Sequence, residues 1–376
     1  MNNKKRVLFV ATVVKSHINV FHLPYLKWFK DNEYETHVCA RDDFDGEECM
    51  IPNCDLHYDI PFERSPISIK NFKAYKQLKK IISDNEYDII HCNTPVASIL
   101  TRLAAIKARK RGTKVIYTAH GFHFFKGASL LNWILYYPAE KICSYFTDVL
   151  ITINKEDYTL AKKKMKAKKI EYVPGVGINT SKFRNIGINL DEKRKELGLS
   201  KQDIVLLSVG ELSKRKNHEV IIRALAKIDK TNVHYIIVGR GKLEIELKKI
   251  INSLNLSNKV HLLGFRDDID EICNISDIFC FPSKQEGLPV AVMEAMASGL
   301  PVICSDIRGN CELIKHEKGG YLCDKNDIDR FAECITELVE DYDKRKRMSK
   351  YNMEVIKSFS IEVVKENMDA IYEREL

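Results

Sequence analysis

Apolar residues along this chain come in short runs separated by longer stretches in which they recur every three or four positions. The runs Arg6–Val13, Glu35–Ala40, Asp88–Cys92, Lys114–Ala119, Asp148–Thr152 and Lys169–Val173 read as buried strands. Each is followed by a segment of helical period, such as Phe21–Lys30 or Thr94–Arg111. Such alternation predicts crossover connections and a parallel sheet. Pro174-Gly175-Val176-Gly177 and the Gly- and Asn-containing stretch up to Leu190 break the pattern. It restarts with strands at Asp203–Gly210, Val233–Gly239, Lys259–Leu263, Asp277–Phe281 and Pro301–Ser305, and helices over 216–229, 241–254, 267–273 and 288–298. Two doubly wound α/β domains are expected, over 1–185 and 186–355, with a terminal helix, 356–376, packing back on the first. In such sheets ligands bind outside the carboxyl ends of the strands.

Composition sharpens this picture unevenly. A length of 376 residues suffices for two cores. The 60 Lys+Arg against 52 Asp+Glu leave +8. Residues 1–185 carry 30 basic and 19 acidic side chains, a net +11; the remainder carries 30 and 33, a net −3. An anionic partner is therefore expected for the first half. Nucleic acid is not, since no reading motif accompanies the charge. No apolar run approaches the roughly 18 residues of a membrane-spanning helix. The apolar stretch after the basic start lacks a small-residue cleavage site, and reads as a first buried strand. The eleven cysteines form no CxxC pair and many sit inside apolar runs, so reduced, buried thiols in a cytoplasmic protein are expected.

The sharpest chemical signal is Glu286-Gly-Leu-Pro-Val-Ala-Val-Met-Glu294, two glutamates straddling a helix start after the strand ending at Phe281. Gly287, Leu288 and Pro289 lead into the first turn, whose free N–H groups and positive dipole end suit a phosphate. Glu294 lies about five residues, roughly 7 Å, further along the helix, a ribose length from the phosphate end. Gly210-Glu-Leu-Ser-Lys-Arg215-Lys216-Asn-His also follows a strand and opens a helix. Tyr117-Thr-Ala-His120-Gly121 ends a strand at the carboxyl edge, as does Ile90-His91-Cys-Asn93-Thr94-Pro95. Asp43-Phe-Asp45 has the form of a metal-binding DxD but lies among Arg41, Asp42, Glu47 and Glu48, where it reads as solvated; no metal is expected. Phe265, after Leu262-Leu-Gly264, reads as core, and Val238-Gly239-Arg240-Gly241 is a strand-to-helix turn.

The stretch 278–305 resembles the donor-site signature of the family 4 retaining glycosyltransferases of GT-B fold, two Rossmann-like domains facing each other across a cleft. The likeness extends over nearly the whole chain, and is greatest to the branch that builds exopolysaccharide, capsule or lipid-linked oligosaccharide. It implies that Glu294 holds the donor ribose, that the 287–289 backbone with Arg215 and Lys216 holds the diphosphate, and that Glu286 contacts the donor sugar. Many relatives carry an Arg directly after the glycine, where this chain has Glu211; Arg215 takes that part. Arg266 and nearby backbone correspond to the segment that receives the nucleobase, and His120 to a His beside the reacting sugar. The usual Gly-Gly turn after the first strand is replaced by Thr12-Val-Val-Lys15-Ser16-His17. That leaves Lys15 and His17, with His91, as acceptor-side candidates.

The expected activity is that of a hexosyltransferase. A sugar, taken as an N-acetylhexosamine, moves from a UDP donor to a lipid-linked saccharide acceptor in bacterial surface polysaccharide synthesis, with retention and with neither metal nor cofactor. A nucleotide-sugar epimerase of similar fold and a non-catalytic nucleotide-sugar-binding protein are the rival readings. Lys70, Lys73, Lys76, Lys79 and Lys80 interleave with Ile69, Phe72, Tyr75 and Leu78 in a basic amphipathic helix, and Trp133, Tyr136 and Tyr137 follow in an aromatic-rich segment. Basic stems with aromatic anchors suit an anionic leaflet. The first domain is therefore expected to sit peripherally on the inner face of the cell membrane.

Overall fold

The computed structural model describes residues 4–184, 187 and 189–376. They divide into two compact units. One comprises the chain up to Val176 together with Val364–Leu376, the other Gly177–Val363. The junction expected between 185 and 186 falls outside the described residues, but 177–184 already belong to the second unit. Ile178 bridges to Ser360, Asn274 Nδ2 donates to the Phe183 carbonyl at 2.9 Å, and Arg184 Nη2 donates to the Met353 carbonyl at 2.9 Å.

The first unit is built on β1 (Arg6–Val13), β2 (Glu35–Arg41), β3 (Leu56–Asp59), β4 (Ile89–Asn93), β5 (Lys114–Ala119), β6 (Val149–Thr152) and β7 (Lys169–Tyr172). They form one parallel sheet in the order β3-β2-β1-β4-β5-β6-β7. β1 and β4 are buried almost throughout, as strands covered by helices on both faces must be. The second unit carries β8 (Ile204–Val209), β9 (Val233–Val238), β10 (Val260–Gly264), β11 (Ile278–Phe281), β12 (Val302–Ser305) and β13 (Gly320–Cys323). Their order is β10-β9-β8-β11-β12-β13, again parallel. Both sheets are doubly wound, with the reversal between β1 and β4 in one and between β8 and β11 in the other.

Two strands escape the sequence pattern. β3, Leu-His-Tyr-Asp, is a half-exposed edge strand, and β13, Gly-Tyr-Leu-Cys, is too short to register as an apolar run. The last helix, Ile361–Glu373, sets Val364, Met368, Ile371 and Tyr372 among Val7, Phe9, Val38 and Ile116, completing one face of the first unit's core.

Candidate active site

In the second unit the loops after β8 and β11 leave adjacent strands at the reversal of strand order, where a parallel sheet opens a crevice. Asn217 ties them together. Its left-handed backbone (φ 60°, ψ 32°) starts the helix His218–Leu225, and its side-chain amide donates to the Pro282 and Lys325 carbonyls at 3.1 and 2.8 Å. The Lys284 amide donates to the Arg215 carbonyl at 2.8 Å. Three donors then converge on one oxygen. Glu286 Oε1 accepts from Arg215 Nη1 at 2.6 Å, Lys216 Nζ at 2.8 Å and Ser283 Oγ at 2.6 Å. Lys216 lies 4.5 Å over the Phe281 ring, and its stem lines Gly210, where a Cβ would stand 3.1 Å from Lys216 Cε. Burial pulls the Lys216 ammonium below its ordinary range, with Glu286 opposing that shift. An ammonium and a guanidinium fixed beside a crevice can neutralise a diphosphate.

Leu288 is buried and Pro289 caps the helix Val290–Ala297. The backbone at Gly287 is gripped from behind. A Cβ at Gly309 would stand 2.6 Å from the Gly287 carbonyl oxygen, and Arg308 Nε donates to the Glu286 carbonyl at 3.3 Å. Glu294 lies one turn into that helix, its carboxyl pushed up to about 7 by burial, with Lys182 opposing and Asp270 adding to the shift. The glycines of the 239–241 turn have a packing reason. A Cβ at Gly239 would stand 2.0 Å from the Gly210 carbonyl oxygen, and one at Gly241 would stand 2.4 Å from that of Leu212.

Arg266 is held by Asp268, with Nε at 2.8 Å, and by Glu196 at 3.2 Å. Its guanidinium is committed to carboxylates. Phe265, expected in the core, is instead 70% exposed just after β10, so the free aromatic face of this segment belongs to it. Sequence reasoning also passed over Ser283, Asn217 and Arg308. Ser283 and Asn217 flank motifs already singled out, and only their contacts reveal their work.

In the first unit the loops after β1 and β4 meet at the corresponding reversal. Thr12 N donates to Thr94 Oγ1 at 3.1 Å, and the two hydroxyls pair at 2.7 Å. Thr94 holds φ 63°, a strained value for a β-branched residue, at the start of the helix Pro95–Ala104. Val14–Ile18 form a π-turn closed by Asp43, which accepts from the Lys15 amide at 2.6 Å, the Ser16 amide at 3.2 Å and Ser16 Oγ at 2.6 Å. Asp43 is thus a loop clasp and not the solvated residue expected. His120 follows β5 with its buried Nε2 lacking a hydrogen-bond partner; burial pushes it down to about 4, so it is neutral near pH 7. His17 packs against it, ring centroids 5.0 Å apart.

Two acceptor-side candidates are otherwise engaged. His91 is fully buried, Nε2 paired with Thr118 Oγ1 and Nδ1 with the Tyr372 hydroxyl, each at 2.8 Å, so it belongs to the core. Lys15 Nζ is paired with Glu47 at 2.7 Å. Arg64, which no motif marked, lines a cavity of about 250 Å³ with Ser16, His17, Thr94, His123 and Tyr136, and makes no ion pair among the described residues.

The family model described as "Glycosyl transferase 4-like" matches residues 6–154, and that described as "Glycosyl transferases group 1" matches 189–355. A putative glycosyltransferase of Bacillus subtilis, EpsD, is 39% identical over 372 residues, 98% of this chain and 96% of its own length. An Escherichia coli protein named UDP-Gal:alpha-D-GlcNAc-diphosphoundecaprenol alpha-1,3-galactosyltransferase is 34% identical over 73% of this chain and 72% of its own. Among solved structures, Anabaena Alr3699/HepE with UDP and glucose superposes with a TM-score of 0.82 at 20% identity, covering 98% of this chain and 100% of that one; the likeness is one of fold. With both sheets wound as expected, family models matching most of the chain and a relative 39% identical over 98% of it, the chain belongs to the family 4 glycosyltransferases of GT-B fold.

Proposed function

We propose that this glycosyltransferase moves a sugar, an N-acetylhexosamine, from a UDP donor to a lipid-linked saccharide in bacterial surface polysaccharide synthesis, with retention of configuration and without a metal. The observation that carries the reading is the convergence of Arg215, Lys216 and Ser283 on Glu286 at the reversal of the second sheet. The activity in the name of the E. coli relative supports a UDP donor and a polyprenyl-diphosphate acceptor.

In this reading Glu294 accepts from the ribose hydroxyls, and the 287–289 backbone, Arg215 and Lys216 hold the diphosphate. Glu286 tethers both cations and turns to a sugar hydroxyl when the diphosphate takes them over. The bond from the anomeric carbon to the β-phosphate oxygen breaks, and the acceptor oxygen bonds to that carbon on the same face. The acceptor proton passes to the departing phosphate, and UDP leaves. Neutral His120 offers the sugar a hydrogen bond that strengthens as charge develops. The acceptor belongs to the first unit, where His17 and Arg64 supply polar and cationic lining.

UDP-sugars offered singly with lipid extracts, with UDP release and labelled lipid followed, give the direct assay. Glu286→Ala and Lys216→Ala are each expected to cut turnover by about 10²-fold or more, the scale of losing a group aimed at developing charge. Wild-type turnover in either folded variant would sink the site assignment. Loss of activity in chelator would contradict the metal-free mechanism, and an inverted anomeric signal in the product would contradict retention.

A further inference from the structure

His17, His22 and His120 come together in the first unit although the third lies about a hundred residues from the others. We propose that these three imidazoles form a binding site for a late divalent transition metal such as Zn²⁺, and that its occupancy arrests transfer by taking His120 away from the sugar. The binding claim stands on the first unit alone; the arrest rests on the function proposed above.

The backbone prepares the first pair. In a regular α-helix, side chains five apart point about 140° away from each other. Here the wider π-turn Val14–Ile18 is followed by the single turn Asn19–Phe21, and His17 and His22 face each other with Nε2 atoms 3.2 Å apart. β5 delivers the third ring. Its centroid lies 5.0 Å from that of His17 and 5.9 Å from that of His22, and the ligand atoms of all three rings lie within 4.8 Å of one another. A tetrahedral ion at 2.0–2.1 Å from each nitrogen requires nitrogens about 3.3 Å apart and ring centroids about 5 Å apart. The first pair already meets that spacing, and a side-chain rotation of at most about 1.5 Å brings His120 to it.

The chemistry of the donors agrees. Burial holds His17 and His22 well below the ordinary imidazole range and His120 at about 4, so each ring is neutral and keeps a lone pair. His120 Nε2 and His22 Nδ1 are buried without hydrogen-bond partners. The proton now on one Nε2 of the His17–His22 pair can pass to the Nδ1 of the same ring, so binding needs no net proton loss. Three imidazoles and no carboxylate favour zinc, copper or nickel over magnesium or calcium. His91 adds no fourth ligand, since both its nitrogens are engaged, and the remaining position is left to water. Arg64 works against the site, since its charge already disfavours a cation at His17, so only metals high in the affinity order are expected to bind.

The test uses the full chain, stripped with chelator and desalted. Zn²⁺ is titrated against a chromophoric chelator, and Co²⁺ is followed by its four-coordinate visible absorption. One equivalent is expected, with affinity falling at least about tenfold in His22→Phe and in His17→Gln, since even residues that only orient a ligand are worth that much. His234→Gln serves as the control. Its pair with His261, at 3.1 Å, is a close His–His contact in the second unit, and this variant should bind like wild type. Circular dichroism establishes folding, and His17→Gln, less buried than His22, covers the case in which His22→Phe fails to fold. Absence of stoichiometric binding, undiminished affinity in the folded variants, or loss in His234→Gln overturns the site. Stoichiometric Zn²⁺ that leaves UDP release unchanged keeps the site and removes the arrest. Inactivity without added metal counts against the proposed function and leaves the binding result standing.

Discussion

Glu294, proposed above to hold the donor ribose, lowers the stability of the folded protein near neutral pH. Its carboxyl is raised from 4.5 to about 7, so the folded state binds the proton more readily than the unfolded one. Stability should therefore fall as pH rises from 4.5 to 7, and stay low above that, by on the order of 3 kcal/mol. Glu294→Gln is expected to melt higher than wild type at pH 8 while losing UDP affinity; equal melting temperatures would refute the assignment. If ribose hydroxyls donate to the charged form, UDP should bind more tightly as pH rises through 7. The accompanying proton release is measurable by calorimetry in two buffers of different ionisation enthalpy. At this scale the sequence identified the residue types well and their engagement poorly. Lys15, His91 and Arg266 were legible as candidates, but Glu47, Tyr372 and Glu196, which engage them, lie elsewhere in the chain and could not be read from spacing. Phe265 was misjudged because an aromatic after a strand has the same local pattern whether the turn carries it inward or out.

Among elements, the helix Leu130–Ser144 departs most from expectation. Trp133, Tyr136 and Tyr137, expected as membrane anchors, pack on the first unit's core. The face left outside is aliphatic, with Leu130 81%, Leu131 62% and Ile134 68% exposed. In the same unit Ile69 and Phe72 are exposed beside Lys70, Lys73, Lys76, Lys79 and Lys80, and Lys76 lies 4.5 Å over the Phe72 ring. Exposed apolar side chains interleaved with cations fit an anionic leaflet, each lysine contributing about 1 kcal/mol near the surface. Leu131→Glu/Ile134→Glu should reduce flotation with anionic liposomes, and added salt should weaken the wild type. Flotation that ignores both would remove the membrane reading. Among the described residues no helix is long and apolar enough to cross a bilayer. The helical period gave the helix but not its outward face, because the residues before Glu140 are apolar or aromatic on nearly every side.

For the molecule as a whole, titratable burial is distributed unequally. His17, His22, His91 and His120 are held neutral in the first unit, against His218 and, by a smaller burial, His261 in the second. A histidine lowered from 6.5 toward 3 or 4 contributes stability that is present above 6.5 and lost as pH falls, about 2 kcal/mol each by pH 5. Glu294 changes in the opposite sense in the second unit. Acid should therefore unfold the first unit first. Both tryptophans, Trp28 and Trp133, lie there, so their fluorescence should change at a higher pH than the bulk of the far-ultraviolet dichroism. Coincident transitions would overturn this. Two doubly wound α/β units and the Glu286–Glu294 helix start were legible along the chain, because strand and helix periods, Gly/Pro breaks and that motif are all local. Folding alone brings Glu286 to Arg215 and Lys216 some seventy residues away, seats the last helix in the first unit's core, and sets His120 beside His17 and His22. Such meetings depend on strand order and on which apolar faces seal the core, and residues far apart in the chain carry no local record of either.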